Sequence, residues 1–400
     1  MIEAKLRVGF LMGQSQHNTL RTMTETIAQQ FRDSGHTADV YDLLSSASVD
    51  QLEAKFRERA FDLMVAFQGW GLNFFDEGPN LFDRAQVPYV TILGDHPMYH
   101  ASRLKHLSSR NGVLVQEEEH IEFVRRIAGN TCICGLGSIT DTRDYGRRVP
   151  LEERDVGLLF MGSGGDPEAA RANLGHGNAS LRPLLFNLLE IRTARAPIRA
   201  TDALRDVLEA RGIAPESVPS ALQSRILDDV ERIVRAERRH RIIRTIKTTP
   251  LTIWGPDWPA VYDTLPNVTV RREGYPTGAA AACRSRLLLN IFPDEFSTGH
   301  DRISLARATG TPLLTETNAF VDPWLVQRGA AAGFWPGESI DDLATSLLAD
   351  PERLVTMTKC ADSLGDQSAV LPAVETIMNA YTAIRTLSAL QVAGRLADHA

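Results

Sequence analysis

Short apolar segments that end in glycine-rich or polar turns recur along this chain, and helical segments lie between them. The first, Leu6–Met12, ends in Gly13-Gln14-Ser15, and Asn18–Ser34 then shows helical periodicity up to a natural stop at Gly35. Strands that alternate with helices at this spacing form βαβ units and a parallel sheet. The pattern therefore predicts an α/β protein with a doubly wound architecture.

This rhythm occurs twice, which predicts two Rossmann-like domains that face a ligand cleft. A chain of 400 residues is also too long for one core, since domains take about 100–200 residues each. A polar stretch at 142–154 precedes a new strand, and 178–247 reads as almost entirely helical. We predict an N-terminal domain over 1–150, a C-terminal domain over 151–375 with a helical insertion at about 178–247, and a C-terminal helix over 376–400.

Composition argues against several classes of function. The net charge is −7, whereas nonspecific nucleic-acid binding depends on cations that neutralise phosphates. The N-terminus lacks the apolar segment of a secretory signal, and no apolar run of about 18 residues predicts a membrane span. The pair Cys132-x-Cys134 is interpreted as buried thiols, because a zinc site would need a second pair. The cytoplasm is therefore the expected compartment.

The segment from Trp254 to Asn318 carries the clearest functional signal. Within it the apolar strand Leu287–Phe292 is followed by Gly299-His300-Asp301-Arg302 and a helical stretch. The unpaired N–H groups of a helix N-terminus attract anions, and Arg302 in the first turn could fork onto phosphate oxygens. The alternative is that Arg302 and His300 pair only with nearby carboxylates.

Three motifs resemble the C-terminal core of GT-B glycosyltransferases, most of all the bacterial spore-maturation-protein-like group. Asn290…Gly299-x-x-Arg302…Ala306…Gly310-x-Pro-Leu-Leu-Thr is similar to the strand–helix–strand core of that group. Trp254-Gly255-Pro256-Asp257-Trp258 resembles its Tyr-Gly-x-x-Trp turn, and Asp155–Gly165 resembles its opening strand and loop. The motifs cover about residues 151–350, whereas the N-terminal half matches only in its α/β rhythm.

The resemblance implies a nucleotide-sugar donor, UDP-linked or carried by another nucleoside diphosphate, which is a substrate, and no cofactor. The helix from His300 would face the pyrophosphate, Tyr275 would lie near the base, and Glu316 would bind ribose or sugar hydroxyls. For Trp254 and Trp258 core packing is the alternative, and for Glu316 it is a surface helix cap. The implied donor-site residues are Gly162, Ser163, Gly164, Trp254, Gly255, Tyr275, Asn290, Gly299, His300, Arg302, Glu316 and Asn318.

One departure from the family bears on stereochemistry. Many retaining members carry a pair of glutamates where this chain has Ser297 and Leu305. The departure favours an inverting mechanism, in which a general base deprotonates the acceptor. Members of the fold usually need no metal, because a helix dipole and cationic side chains stabilise the leaving diphosphate. The sequence also contains no Asp-x-Asp pair of the kind that metal-dependent transferases use.

Candidates for the base follow apolar strands of the N-terminal half. Asp95, in Gly94-Asp95-His96-Pro97, is the preferred base, with His96 as a phosphate or acceptor contact. The alternative role for Asp95 is to cap the next helix, and the alternative base is His17. Further residues expected on the acceptor side are Gln14, Ser15, Tyr99 and His100.

Three functions stay open at this point. A transferase that moves a sugar to an unknown acceptor is preferred. A sugar-nucleotide epimerase would need clustered carboxylates, and a degenerate, non-catalytic binding or scaffolding protein would not need to retain Arg302 and Glu316. A helical cluster is interpreted as a solvated face, with attraction of an anionic acceptor or a membrane surface as the alternative; it comprises Arg235, Arg238, Arg239, Arg241 and Arg244. The sequence also leaves open whether the protein is a homodimer.

Overall fold

The computed structural model describes residues 5–15, 18–75, 78–129, 133–136, 148–176, 178–194, 198–292, 298–335, 338–364 and 373–397. The chain divides into two compact units, one formed by residues 1–141 with 368–400 and the other by residues 142–367. The C-terminal helix therefore belongs to the first unit, whereas the sequence indicated a separate element over 376–400.

The first unit alternates strands with helices along the chain. Its elements are β1 (Arg7–Met12), α1 (Thr19–Asp33), β2 (Thr37–Asp42), α2 (Ser46–Arg57), β3 (Leu63–Phe67), α3 (Leu81–Ala85), β4 (Tyr89–Ile92), α4 (Ala101–Leu104), β5 (Asn111–Val115), α5 (Glu118–Ala128) and β6 (Ile133–Leu136). The strands form one parallel sheet in the order β2-β1-β3-β4-β5-β6. Every residue of β3, β4 and β5 is buried, as expected for central strands covered on both faces.

The second unit repeats the alternation but inserts a set of helices between its first two strands. Its elements are β7 (Val156–Met161), α6 (Pro167–Asn173), α7 (Arg182–Ala194), α8 (Ala200–Glu209), α9 (Ser220–Ile243), β8 (Leu251–Trp254), β9 (Val268–Arg271), α10 (Tyr275–Cys283), β10 (Ser285–Asn290), α11 (Asp301–Thr309), β11 (Leu313–Glu316), β12 (Ala332–Phe334), α12 (Asp341–Ala349) and α13 (Pro351–Ser363). The sheet is parallel, in the order β12-β11-β10-β7-β8-β9.

These orders confirm two doubly wound α/β domains with a helical insertion, α6–α9, in the second. The strand order of the second sheet reverses between β7 and β10, and that of the first sheet reverses between β1 and β3. Loops at the carboxyl ends of such neighbouring strands diverge and leave a crevice, which is where open α/β sheets bind ligands. We therefore expect ligand-binding residues in the loops that follow β7 and β10, and in those that follow β1 and β3.

The chain ends in a long helix, α14 (Ala373–Ala397), which packs on the first sheet beside β4, β5 and β6. The helix approaches closely because Gly112 has no side chain, and a Cβ there would lie 3.3 Å from Ile384 and 3.5 Å from Ala380. None of the described helices combines the length and apolar character that a bilayer-spanning helix requires.

A buried ion pair joins two helices of the insertion. Arg192 of α7 and Glu231 of α9 are 5% and 3% exposed, and the guanidinium contacts both carboxylate oxygens at 2.6 Å. A charge left alone at such a site would be desolvated without compensation. The pair therefore ties α7 to α9, and α9 leads towards the carboxyl edge of the second sheet.

Replacing Glu231 with alanine should strongly destabilise the second unit, because Arg192 would stay buried without its partner. We expect Glu231→Ala to lower the free energy of unfolding by about 3–5 kcal/mol. The matched control is Glu53→Ala, which breaks the Arg57–Glu53 pair, whose members are 75% and 61% exposed. That change should cost less than about 1 kcal/mol. Equal losses for the two variants in urea denaturation would contradict the structural role of the buried pair.

Candidate functional site

Arg302 holds together the carboxyl ends of β7 and β10. Its side chain is buried, with Nε donating to the carbonyl of Met161 at 2.8 Å. Nη1 donates to Asn290 Oδ1 at 2.9 Å and to the carbonyl of Ile291 at 2.8 Å. The guanidinium also lies over the ring of Phe160, 5.3 Å from its centroid. Nε and Nη1 are thus committed inside the unit, and the predicted fork from Arg302 to phosphate oxygens stays a prediction.

Two glycine-containing loops meet beside this position. A Cβ on Gly255, whose φ is +149°, would lie 2.4 Å from the carbonyl oxygen of Gly162. A Cβ on Gly164 would lie 2.7 Å from the ring of Trp258, whose Nε1 donates to the Gly162 carbonyl at 2.8 Å. The loops at 162–165 and 254–258 therefore touch backbone to backbone. Trp258 is 3% exposed, so the core-packing alternative is correct for this tryptophan.

The C-terminal end of α9 fastens the first of these loops. Arg239 Nη1 donates to the carbonyl oxygen of Ser163 at 2.7 Å and contacts its hydroxyl at 3.2 Å. His240 Nε2 lies 3.1 Å from the carbonyl oxygen of Gly165, and His240 Nδ1 lies 2.9 Å from Tyr262 Oη. Arg239 and His240 are buried, as is Tyr262. The insertion therefore sets the position of the loop that follows β7.

The partners of His240 determine its tautomer. A backbone carbonyl only accepts, so Nε2 carries the hydrogen, and Nδ1 accepts a hydrogen bond from the hydroxyl of Tyr262. Burial is the main cause that lowers the pKa of His240, because the charged ring would be desolvated. Burial likewise raises the pKa of the Tyr262 hydroxyl. The result is a neutral imidazole that links the core of the second unit to the glycine loop.

Glu316, at the end of β11, faces a second arginine of α9. It is completely buried, with Oε2 accepting from the backbone N–H of Phe292 at 2.8 Å and Oε1 lying 3.1 Å from Arg238. Burial raises the pKa of this carboxyl, and the charges of Arg238 and Arg241 act in the opposite direction. The surface-cap alternative for Glu316 is therefore wrong, and its expected contact with ribose or sugar hydroxyls stays a prediction.

The interpretation of the α9 arginines as a solvated face is wrong for two of them. Arg239 is 8% exposed, and the side chain of Arg238 is 19% exposed. The charge run was visible in the sequence, but the helical register that turns residues 238 and 239 towards the strand ends was not. With Arg241 near Glu316 and Arg302 beneath, this end of the second sheet is cationic.

The remaining predicted donor residues lie around the same edge. Trp254, at the end of β8, is half-buried, and its Nε1 donates to Thr277 Oγ1 at 3.3 Å. Asn318 Nδ2 donates to the carbonyl of Thr298 at 3.0 Å, and its Oδ1 caps the next helical turn. Tyr275 begins α10 and is half-buried. The hydrogen bonds of Trp254 and Asn318 therefore connect neighbouring loops at this edge.

The start of α11 presents a compact polar turn. Gly299 precedes His300, whose Nδ1 caps the helix by accepting from the N–H of Arg302 at 3.3 Å. His300 also contacts the carboxylate of Asp301. Burial would raise the pKa of Asp301, but its contacts with His300 and Arg302 outweigh burial and hold that pKa well below its usual range. The local-pairing alternative for His300 is thus correct as far as Asp301 is concerned.

In the first unit the predicted base lies beside a strained turn. Asp95 is exposed, and its Oδ2 accepts from Gln68 Nε2 at 3.1 Å. Gln68, just after β3, is buried and has a φ of +55°, a conformation that non-glycine residues rarely adopt. Its carbonyl accepts from Arg103 Nη1 at 3.0 Å, and Arg103 stacks on Trp70 at 4.0 Å. Sequence reasoning missed Gln68 and Trp70, because glutamine gives no signal of a left-handed backbone.

His96 has a structural role that the sequence did not indicate. It is 4% exposed, and its Nδ1 accepts from the N–H of Met98, which caps the short turn Pro97–His100. Its ring packs edge-on against His120 and Phe123. The cap assigned to Asp95 as an alternative is therefore supplied by His96. Its predicted contact with phosphate or acceptor stays a prediction, now for a buried side chain.

The other residues predicted on the acceptor side occupy the loops that follow β1 and β4. Ser15 Oγ accepts from the N–H of Leu20 at 3.0 Å, which is the capping role expected of a loop before a helix. Gln14 is exposed, and Tyr99 and His100 are half-buried. His17 and Cys132 lie outside the described residues, and Cys134 is half-buried.

Comparisons with known proteins agree with this architecture. An α-glucosyltransferase solved with UDP and a 13-mer DNA containing an HMU base matches with a TM-score of 0.55 and 8% identity, over 95% of this chain and 100% of that one. Sucrose-phosphate synthase from Thermosynechococcus elongatus matches with a TM-score of 0.48 and 9% identity, over 99% of this chain and 100% of that one. Anabaena Alr3699/HepE with UDP-glucose matches with a TM-score of 0.49 and 13% identity, over 96% of this chain and 100% of that one. No protein-family model and no curated protein matches the sequence. The chain therefore has the GT-B fold.

His240 should give the protein a pH dependence of stability with a defined sign. Because its pKa in the folded state lies below the ordinary value of 6.5, the unfolded state binds more protons just below that pH, and stability falls as the pH drops below about 6.5. His240→Gln should be less stable at neutral pH by about 1–3 kcal/mol, yet lose less further stability on acidification. Urea denaturation at several pH values measures both effects.

Tyr262→Phe is the matched control, because it removes one hydrogen bond of the pair and retains the imidazole. This variant should keep the acid-dependent loss of stability. An unchanged acid-dependent loss in His240→Gln would contradict the assignment of that loss to His240.

Proposed function

We propose that this protein is a glycosyltransferase that moves a sugar from a nucleoside-diphosphate sugar to an acceptor. One observation carries the proposal: the cationic end of α9 and the glycine loop that follows β7 come together at the switch point of the second sheet. Backbone N–H groups and arginines at such a position are suited to a diphosphate. The GT-B fold supports the proposal, because a solved α-glucosyltransferase with this fold binds UDP.

In this proposal the diphosphate lies beside the glycine loop and the start of α11. Arg241, which is exposed, and Arg238 supply charge there, and Arg239 keeps the loop in place through Ser163. The positive end of the α11 dipole adds to this field. Both contributions strengthen as negative charge develops on the leaving nucleotide, so they lower the barrier to departure. UDP is the first nucleotide to test, and the chemistry assigned to these residues requires no metal.

We assign the general base to Asp95 of the first unit. It is an exposed carboxylate after a central strand, held by the buried Gln68, so it is accessible to an acceptor hydroxyl and fixed in direction. The glutamate pair of retaining relatives is missing, and Leu305, at one of its positions, is completely buried in the core. We therefore propose inversion, in which Asp95 takes the proton as the acceptor oxygen attacks the sugar.

Nucleotide binding should be detectable and should depend on α9. Thermal-shift measurements with UDP, GDP, TDP and CMP are expected to show stabilisation by one nucleotide class, since a ligand that binds only the folded state raises the melting temperature. Arg241→Ala should weaken that nucleotide about tenfold, equivalent to about 1.4 kcal/mol. Arg241 is exposed, so the variant should fold normally.

The matched control is Arg205→Ala, which removes an exposed arginine of α8, in the same insertion, that pairs with Asp202. It should bind the nucleotide as the unaltered protein does. No stabilisation by any of the nucleotides would favour a non-catalytic scaffold. If the Arg241 and Arg205 variants bind the nucleotide with equal affinity, α9 does not contribute Arg241 to the nucleotide site.

Asp95→Asn should abolish turnover and leave nucleotide binding intact, because the amide keeps the shape of the side chain but accepts no proton. We expect a loss of about 10²–10⁴-fold in rate. Release of free nucleotide from the sugar donor, with a panel of methyl glycosides as acceptors, measures it. Asp39→Asn, an exposed carboxylate on β2, is the matched control. Full activity in Asp95→Asn would exclude this base and make His17 the next residue to test.

A further inference from the structure

The helical insertion contains a cavity of about 260 Å³ that is separate from the proposed donor site at the carboxyl edge of the second sheet. It lies between α6, the loop leading into α7, and the N-terminal half of α9. Pockets for drug-sized ligands begin at about 300 Å³, so this one has room for a single ring-sized molecule. Neither the fold nor the proposed transfer reaction assigns it a role.

The floor of the cavity is aliphatic. Leu174 and Ile226 are almost completely buried, and Leu181 is half-buried beside them. Such a surface gains free energy when it covers C–H groups and excludes water. The floor therefore suits a ligand with one apolar face.

The mouth of the cavity is polar, and three of its side chains are not committed by hydrogen bonds or salt bridges. Among the described residues, the side chains of Asn173, Arg225 and Asp229 make no hydrogen bond or salt bridge. Arg232, which also lines the cavity, is by contrast paired with Asp228 at 2.7 Å. Partial burial raises the pKa of Asp229, and the charge of Asp228 adds to the effect. A carboxylate in this setting is stabilised by hydroxyl donors.

The balance of charge favours a neutral ligand. The charged residues that line the cavity are Arg225, Asp229 and Arg232, and Arg232 is already paired with Asp228 outside the lining. Arg225 and Asp229 are then the charges left to face a ligand, so neither an anion nor a cation is preferred overall. We propose that this cavity binds one pyranose ring of a carbohydrate. Its C–H face would lie on Leu174 and Ile226, and its hydroxyls would donate to Asp229 and accept from Arg225.

This proposal rests on the proposed function, because it assigns the cavity to a sugar that takes part in or regulates the proposed transfer. The glycine loop leads directly into α6, and α9 carries both Ile226 on the floor and Arg239 on that loop. At 1.5 Å of rise per residue, these two positions lie about 20 Å apart along one helix. A bound ring would therefore contact the two helices that flank the donor loop. It could be a distal unit of the acceptor glycan or a free sugar.

Saturation-transfer NMR with the full-length protein tests the cavity. The probes are methyl α-glucopyranoside, methyl β-galactopyranoside, methyl α-mannopyranoside and N-acetylglucosamine. We expect at least one to bind, and we expect Asp229→Asn to weaken it at least tenfold and Leu181→Trp to abolish binding by filling the space. Glu209→Gln, an exposed carboxylate outside the cavity in α8, should leave binding unchanged.

The proposal fails if none of the four probes binds, or if Asp229→Asn binds its probe as tightly as the Glu209 control. Nucleotide affinity is measured on the same samples. It should be retained in Asp229→Asn, so loss of the sugar with retention of the nucleotide separates this proposal from the proposed function. Retained nucleotide binding also shows that the variant is folded.

The two sources of the ring give different results with longer ligands. Affinity that rises from mono- to tetrasaccharide identifies a segment of an extended acceptor. Affinity that is independent of length, together with a change in nucleotide affinity when the monosaccharide is present, identifies a free sugar that acts through α9. Either result supports the cavity as a saccharide site, provided that Asp229→Asn removes it.

Discussion

The second unit is organised around one buried guanidinium. Where β7 and β10 run side by side and their following loops diverge, their last carbonyls would be left without donors, and buried carbonyls require partners. Arg302 supplies these donors to Met161 and Ile291, and it also fixes Asn290. The same interaction that closes the ends of the strands therefore places a guanidinium beside the crevice between them.

The insertion completes this crevice from outside the sheet. The loop after β7 is held by Arg239 and His240, which reach it from the last turns of α9, and Arg238 satisfies the buried Glu316 at the end of β11. The position of α9 depends in turn on the Arg192–Glu231 pair, which joins it to α7. The contacts of α9 thus hold the loop after β7 and the end of β11, although the helix lies outside the sheet.

The sequence predicted most of the strands and the two domains, because these depend on local pattern. It did not predict the close approach of the glycine loops or the register of α9. A run of arginines has the same composition on a solvated face and on a packed one, and only tertiary contacts separate Arg239, which is buried, from Arg241, which is exposed. The direction of the Arg302 side chain could not be predicted either, because it too depends on tertiary contacts. For His96, a position after a buried strand predicted a site residue but gave no sign of its packing against His120 and Phe123.

The two sheets use different means to hold their carboxyl edges. Charges and glycines fix the edge of the second, whereas a strained turn at Gln68 and Gly69, with φ of +55° and +70°, fixes that of the first. A left-handed glutamine costs on the order of 1–3 kcal/mol, and it persists here because Thr91 Oγ1 accepts from the N–H of Gly69 and Arg103 donates to the Gln68 carbonyl. The turn directs the buried amide of Gln68 to Asp95 while the carboxylate stays exposed. Strain retained beside a central strand is more readily explained by a need to orient one carboxylate than by stability, because a glycine at position 68 would relieve the strain but could not hold Asp95.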